Sequence, residues 1–181
     1  VDPPAETEMI LRVAAIVLIC VATSANAASF MFDSGTSELG FSGDYGGEPV
    51  PGTFKKFSGS VEFDLAKPMA TRFSTEIDVA SLDTDYSDRD DTLRGEEFFD
   101  TATFPKATYT SSGDCAVAGA KLTCPGTLTL RGVSKPVALQ VSASADGRSL
   151  EGSATLDRSQ FGVGSGDWAD PTSIANPVKI T

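Results

Sequence analysis

The chain contains no histidine. That absence excludes Ser-His-Asp and Cys-His catalysis, histidine-bound zinc and axial histidine ligation of haem. Cysteine is scarce, with three in 181 residues. Basic residues are few, 14 against 25 acidic ones, giving a net charge of -11 at pH 7. Nucleic acids and anionic membranes attract basic patches, so neither suits a chain this acidic. No apolar run approaches the ~20 residues that span a bilayer, which argues against stable membrane insertion. What remains, at 40% hydrophobic residues, is enough to build one folded domain rather than a disordered chain.

The longest apolar run is AAIVLICVA, preceded by Met9 and Arg12 and followed by SANAAS. A basic residue, a short apolar core and Ala25-Asn26-Ala27 describe a signal peptide over residues 9–27, cut after Ala27. Cys20 follows Ile19, not the small residue a lipidation site requires. Residues 1–8, VDPPAETE, have no place in a signal peptide and are set aside as a misassigned or non-native start. Residues 28–181 then form a single domain, exported to the periplasm or secreted. Loss of Asp2, Glu6, Glu8 and Arg12 leaves that domain with a net charge of -9.

Export makes a disulfide the natural fate of Cys115 and Cys124. They bracket AVAGAKLT, and a two-residue turn at Gly119-Ala120 brings them opposite each other at a non-hydrogen-bonded pair, within bridging range. A redox or metal pair is the rival reading. Eight intervening residues and the lack of histidine oppose it.

Alternation with a period of two runs through the domain. Leu39, Phe41, Gly43 and Tyr45 share one face, as do Phe57, Gly59, Val61 and Phe63, and Phe73, Thr75, Ile77 and Val79. The same holds for Ala107 and Tyr109, for Leu128 and Leu130, and for Val137, Leu139 and Val141. Gly152, Ala154 and Leu156 follow, then Val178 and Ile180 in a last strand that stops at Thr181. Turns are marked by GGEPVPG, AKP, SSGD and GVGSGDW. The fold class is therefore all-β, about eight antiparallel strands in one closed sheet or a sandwich. One segment breaks the pattern. Leu82, Tyr86, Arg89 and Leu93 fall at helical spacing, predicting a short helix at about 84–94 that packs on or caps the barrel.

No metal site or catalytic residue stands out. Aligned to a calcium loop from Asp83, the required glycine is Asp88 and the bidentate glutamate is Arg94. Gly162-Val163-Gly164 lies in no βαβ unit, so it is no dinucleotide fingerprint. No pair of carboxylates is singled out for glycoside chemistry.

A barrel of eight strands is either filled by side chains or holds one small ligand. The small inward residues Gly43, Gly59, Gly126, Ala143, Ala145, Gly152 and Ala154 lean towards a hollow interior.

RDDTLRGEEFFDTATFPKATYTS, GTLTLRGVSKPVAL and LDRSQFGVG, with a tryptophan and a terminal VKI strand, resemble the YceI-like family of lipocalin-like barrels over roughly residues 29–181. The resemblance implies an eight-stranded antiparallel lipocalin-like barrel, and with it a periplasmic or secreted carrier of polyisoprenoids or other long-chain amphiphiles. Thr92 stands where the family often has histidine, and Gly95 where it often has serine, so no head-group role of that histidine transfers. The wall residues expected on this reading are Phe41, Phe63, Phe73, Leu128, Leu130, Leu139 and Phe161. Phe98, Phe99, Phe104 and Trp168 are expected at the mouth or the helix-side end, and each of the eleven could equally serve as ordinary core. Arg94 is the candidate for a head-group contact, with a salt bridge to its acidic neighbours as the alternative.

The function so read is non-catalytic carriage of an isoprenoid, quinone or fatty amphiphile, with no cofactor other than the bound lipid itself. The alternative is an interaction or stress-response module with a filled barrel and no lipid. Oligomeric state, a homodimer included, is left open.

Overall fold

The computed structural model describes residues 28–181; the signal-peptide reading and the bounds at 1–8 and 9–27 lie outside them. The strands are β1 (Ala28–Asp33), β2 (Gly40–Tyr45), β3 (Glu48–Phe54), β4 (Phe57–Phe63), β5 (Arg72–Asp78) and β6 (Leu82–Asp83). After the helix α1 (Ser87–Arg94) come β7 (Lys106–Ser111), β8 (Ala116–Ala118), β9 (Lys121–Leu130), β10 (Val133–Ala143), β11 (Leu150–Asp157) and β12 (Pro177–Ile180). Every pairing is antiparallel, in the order β1-β4-β5-β7-β9-β10-β11-β12-β2-β3-β6, with β8 attached beside β9.

The sheet curls into a barrel. β10 and β11 pair only through Gln140–Ala143 and Leu150–Ser153. Beyond Ser153, β11 turns away to pair with β12, the kind of strand switch that makes a barrel corner. The connections that join the sheet's two extremes then meet. Lys55 N–H donates to the Ser81 carbonyl at 3.0 Å, and Asp78 N–H to the Lys56 carbonyl at 2.9 Å.

Twelve strands replace the eight expected. GGEPVPG reads as a turn, yet Pro49 and Pro51 lie within β3, paired to β2. Phe54 N–H, of the opposite parity, donates to Leu39 on the β2 side. Both prolines therefore put their missing N–H groups on the far edge, where β6 pairs only with Thr53 and Phe54. β1 was also missed, and β6 and β8 are short pieces of two and three residues.

Two apolar clusters lie towards the barrel's two ends. One gathers Val61, Phe63, Leu122 and Val141 around the disulfide. The other gathers Phe98, Leu128, Phe161 and Val163. The Cys115–Cys124 bridge forms as expected, with Cα atoms 4.1 Å apart, and Ala116 to Ala118 pair with Thr123 to Lys121.

The helix is shorter than expected because Thr84 to Tyr86 are needed elsewhere. The buried carboxylate of Asp90 accepts from Thr84 N–H at 2.9 Å and from its hydroxyl at 2.6 Å. Asp88 and Asp90 at the first turn and Arg94 at the last suit the helix dipole.

Candidate functional site

The barrel holds a cavity of about 620 Å³, open to solvent on one side, within the range of sites that take a small ligand. The interior is hollow, not a solid core. Its wall comes from the inward faces that alternation specifies: Phe57, Val61 and Phe63 on β4, Phe73, Thr75 and Ile77 on β5, and Val137, Leu139 and Val141 on β10.

Eight of the eleven expected residues line it: Phe41, Phe63, Phe73, Phe99, Leu128, Leu130, Leu139 and Phe161. Phe98, Phe104 and Trp168 do not. Phe98 is buried against Trp168, ring centres 5.4 Å apart, in the cluster behind the cavity floor. Phe104 packs over Gly132, where a Cβ would come within 2.9 Å of its ring. Of the aromatics expected at the helix-side end, only Phe99 reaches the cavity, edge-on to Phe54 at 6.2 Å.

Arg94 is turned away from the cavity. It donates to the carbonyls of Ala80 at 3.0 Å and Leu82 at 2.8 Å, and pairs with Asp91 at 3.0 Å. The salt-bridge alternative is the one the structure has. Thr92 and Gly95, where the chain departs from the resemblance, are both exposed and outside the lining.

The small inward residues serve two ends. At Gly59 a Cβ would strike the Ser74 carbonyl of the neighbouring strand and the Phe32 ring, and at Gly126 it would strike the Tyr109 phenol. These glycines make room for a neighbouring strand's backbone and for aromatic rings, not for ligand. Gly152 and Ala154 do face the cavity. Tyr45 and Ala145, read as inward, are exposed because the strands end there.

The charged residues on the lining are Glu38, Arg148 and Arg158. Sequence reasoning missed Arg158, which is 5% exposed. Its Nε donates to Ala175, Nη1 to Val163 and Gly164, and Nη2 to Trp168 and Ile174, at 2.7 to 3.2 Å. Five N–H groups meet five carbonyls, so no donor is left for a ligand. Burial lowers its pKa. Arg158 stitches residues 163–175 beneath the barrel and so holds the cavity floor. A lone arginine at a strand end signals nothing of this in sequence, because its partners are all backbone.

Tyr109 puts a half-buried phenol into the cavity, donating to the Cys124 carbonyl at 3.2 Å, and desolvation raises its pKa. Among the described residues no group of three or more His, Cys, Asp or Glu could hold a metal ion.

The YceI-like domain model matches residues 30–181. The chain belongs to the YceI-like family. A UPF0312 protein of Shewanella oneidensis is 35% identical over 122 residues, which cover 63% of this chain and 64% of that protein, so the match spans less than two thirds of that relative. A UPF0312 protein of Pseudomonas syringae pv. tomato is 32% identical over 73% of this chain and 71% of its own. Among solved structures, Burkholderia cenocepacia BcnA superposes with a TM-score of 0.77 at 35% identity, covering 82% of this chain and 94% of its own. A polyisoprenoid binding domain from Saccharophagus degradans shares the fold, with a TM-score of 0.57 at 19% identity over 86% of this chain and 91% of its own.

Proposed function

We propose that this YceI-like protein is a non-catalytic carrier that shelters a long-chain amphiphile (a polyisoprenoid, a quinone, or a fatty acid or amide) outside the cytoplasm. The observation that carries this reading is the cavity of about 620 Å³, walled mainly by apolar side chains. Burial of a methylene is worth ~0.8 kcal/mol, so about twenty carbons yield on the order of 16 kcal/mol gross. Association costs an estimated ~4 to 15 kcal/mol, so a long chain is retained where a short one escapes. The lining offers no histidine and no free thiol, consistent with binding over bond-making. A polyisoprenoid binding domain of the same fold supports the ligand class. The disulfide supports an oxidising compartment, and among the described residues no helix is long and apolar enough to cross a membrane.

A fluorescent fatty-acid series of increasing chain length tests this. Affinity rises with each added methylene until the cavity is full. Leu139→Trp, which projects a larger ring into the cavity, weakens binding of the longest probe by about tenfold or more, with an unchanged melting temperature. Affinity independent of chain length and indifferent to Leu139→Trp would refute the proposal.

A further inference from the structure

One end of the barrel is built differently from the other. Its connections are residues 64–71 between β4 and β5, 112–120 around β8, and 144–149 between β10 and β11. On this end Leu65, Met69 and Val117 are 56%, 53% and 47% exposed. They form one region of the surface. Cys115 N–H donates to the Met69 carbonyl at 2.8 Å, which ties the β8 hairpin to the turn at Pro68–Ala70. Leu65 lies over the β10–β11 turn, so close that a Cβ on Gly147 would come within 2.8 Å of its Cδ1. Gly147 and its neighbour Arg148 line the cavity. The exposed apolar tip and the rim of the cavity therefore touch.

Charge differs between the two ends. Residues 64–72, 112–121 and 144–149 carry three acids, Asp64, Asp114 and Asp146, against four bases, Lys67, Arg72, Lys121 and Arg148. The opposite end, residues 55–56, 79–105, 131–132 and 158–176, carries ten acids against six bases. The chain's acidic excess, which as a bulk figure argues against lipid surfaces, is concentrated away from the tip. Exposed apolar groups beside a ligand cavity mark an interaction site, and a near-neutral face opposite an acidic one fixes which end approaches a phospholipid surface.

We infer that this end docks on the surface of a lipid bilayer, with Leu65, Met69 and Val117 inserted among the head groups so that an amphiphile passes between membrane and cavity. The inference rests on the carrier reading of the cavity. Docking is reversible and shallow, since the tip offers three large apolar side chains and not an amphipathic helix. Apolar insertion is not screened by salt, so binding to a zwitterionic surface persists as ionic strength rises.

The purified protein and the double variant Met69→Glu/Val117→Glu are each mixed with phosphatidylcholine vesicles and sedimented. Both substituted side chains are exposed, and uptake of a fluorescent fatty acid in vesicle-free solution reports whether the cavity survives. The protein as it stands sediments with vesicles at low and high salt. The variant loses vesicle partitioning by about tenfold or more while taking up the probe undiminished. Absence of vesicle binding, or equal binding by the variant, overturns the docking surface even where probe uptake is intact. Vesicle binding that depends on Met69 and Val117 without any probe uptake would leave docking standing and sink the carrier reading. Self-association lost in the variant, with no vesicle binding, would assign the patch to a second copy and overturn the inference.

Discussion

Arg158 shows how one side chain can hold the floor of a cavity with no carboxylate in contact. Replacing it by methionine keeps the bulk and strips five carbonyls, two of them buried and three part-buried, of a donor. At ~1 to 3 kcal/mol for an orphaned buried group, relieved in part by entering water, Arg158→Met destabilises the fold by about 3 kcal/mol in urea titration. Lysine, with three donors at one point, restores only part of it. The acid side of the stability profile belongs to turn aspartates. The Ser159 hydroxyl holds the Asp157 carboxyl below the ordinary carboxylate range, and the Ser144 hydroxyl does the same for Asp146. A depressed folded-state value means stability present above about pH 4 and lost as pH falls through the folded value. Tyr109 has the opposite sign in its environment, since burial raises it. Its contribution is complete below about pH 10 and lost as pH climbs towards the raised folded value. With no histidine, unfolding free energy measured against pH should fall on the acid and alkaline flanks with no step near pH 6 to 7. A step there would contradict this assignment.

At the scale of elements, the β8–β9 hairpin carries the clearest consequence. Cys115→Ser/Cys124→Ser removes the closure of a ten-residue loop and lowers stability by roughly 2.5 to 3 kcal/mol in the chain-entropy model, read by the urea midpoint. An unchanged midpoint would mean the hairpin is fully held by its ladder. This hairpin was legible in the sequence because its turn, alternation and cysteines all specify one register. The inward faces of Phe57 to Phe63 and of Phe73 to Ile77 were legible from alternation alone. β3 was hidden because two prolines within four residues mark a turn wherever both edges of a strand need donors, and only the assembled sheet shows that one edge does not. The helix start was misplaced by three residues because Thr84 is engaged by Asp90 and Arg89, a tertiary preference that helical spacing does not report.

On the scale of the whole molecule, alternation specifies which residues face inward but not how far apart facing walls stand. The lining of β4, β5, β9 and β10 could therefore be read from sequence, whereas Phe98, Phe104 and Trp168 could not be told from cavity residues. Equally aromatic, they pack with one another's neighbours under the floor or over Gly132. Glycines misled in the same way, since Gly59 is a space already taken by the Ser74 carbonyl and Phe32, and Gly126 one taken by Tyr109. The hollow between the two apolar clusters is the property from which carriage follows. It is tested most directly by extracting the protein, purified from its native source, with organic solvent and identifying what was bound by mass spectrometry. One long-chain amphiphile at near-equimolar amount is the result the cavity predicts. An extract with no such molecule, from protein that also fails to take up added isoprenoids or fatty amides, would contradict it.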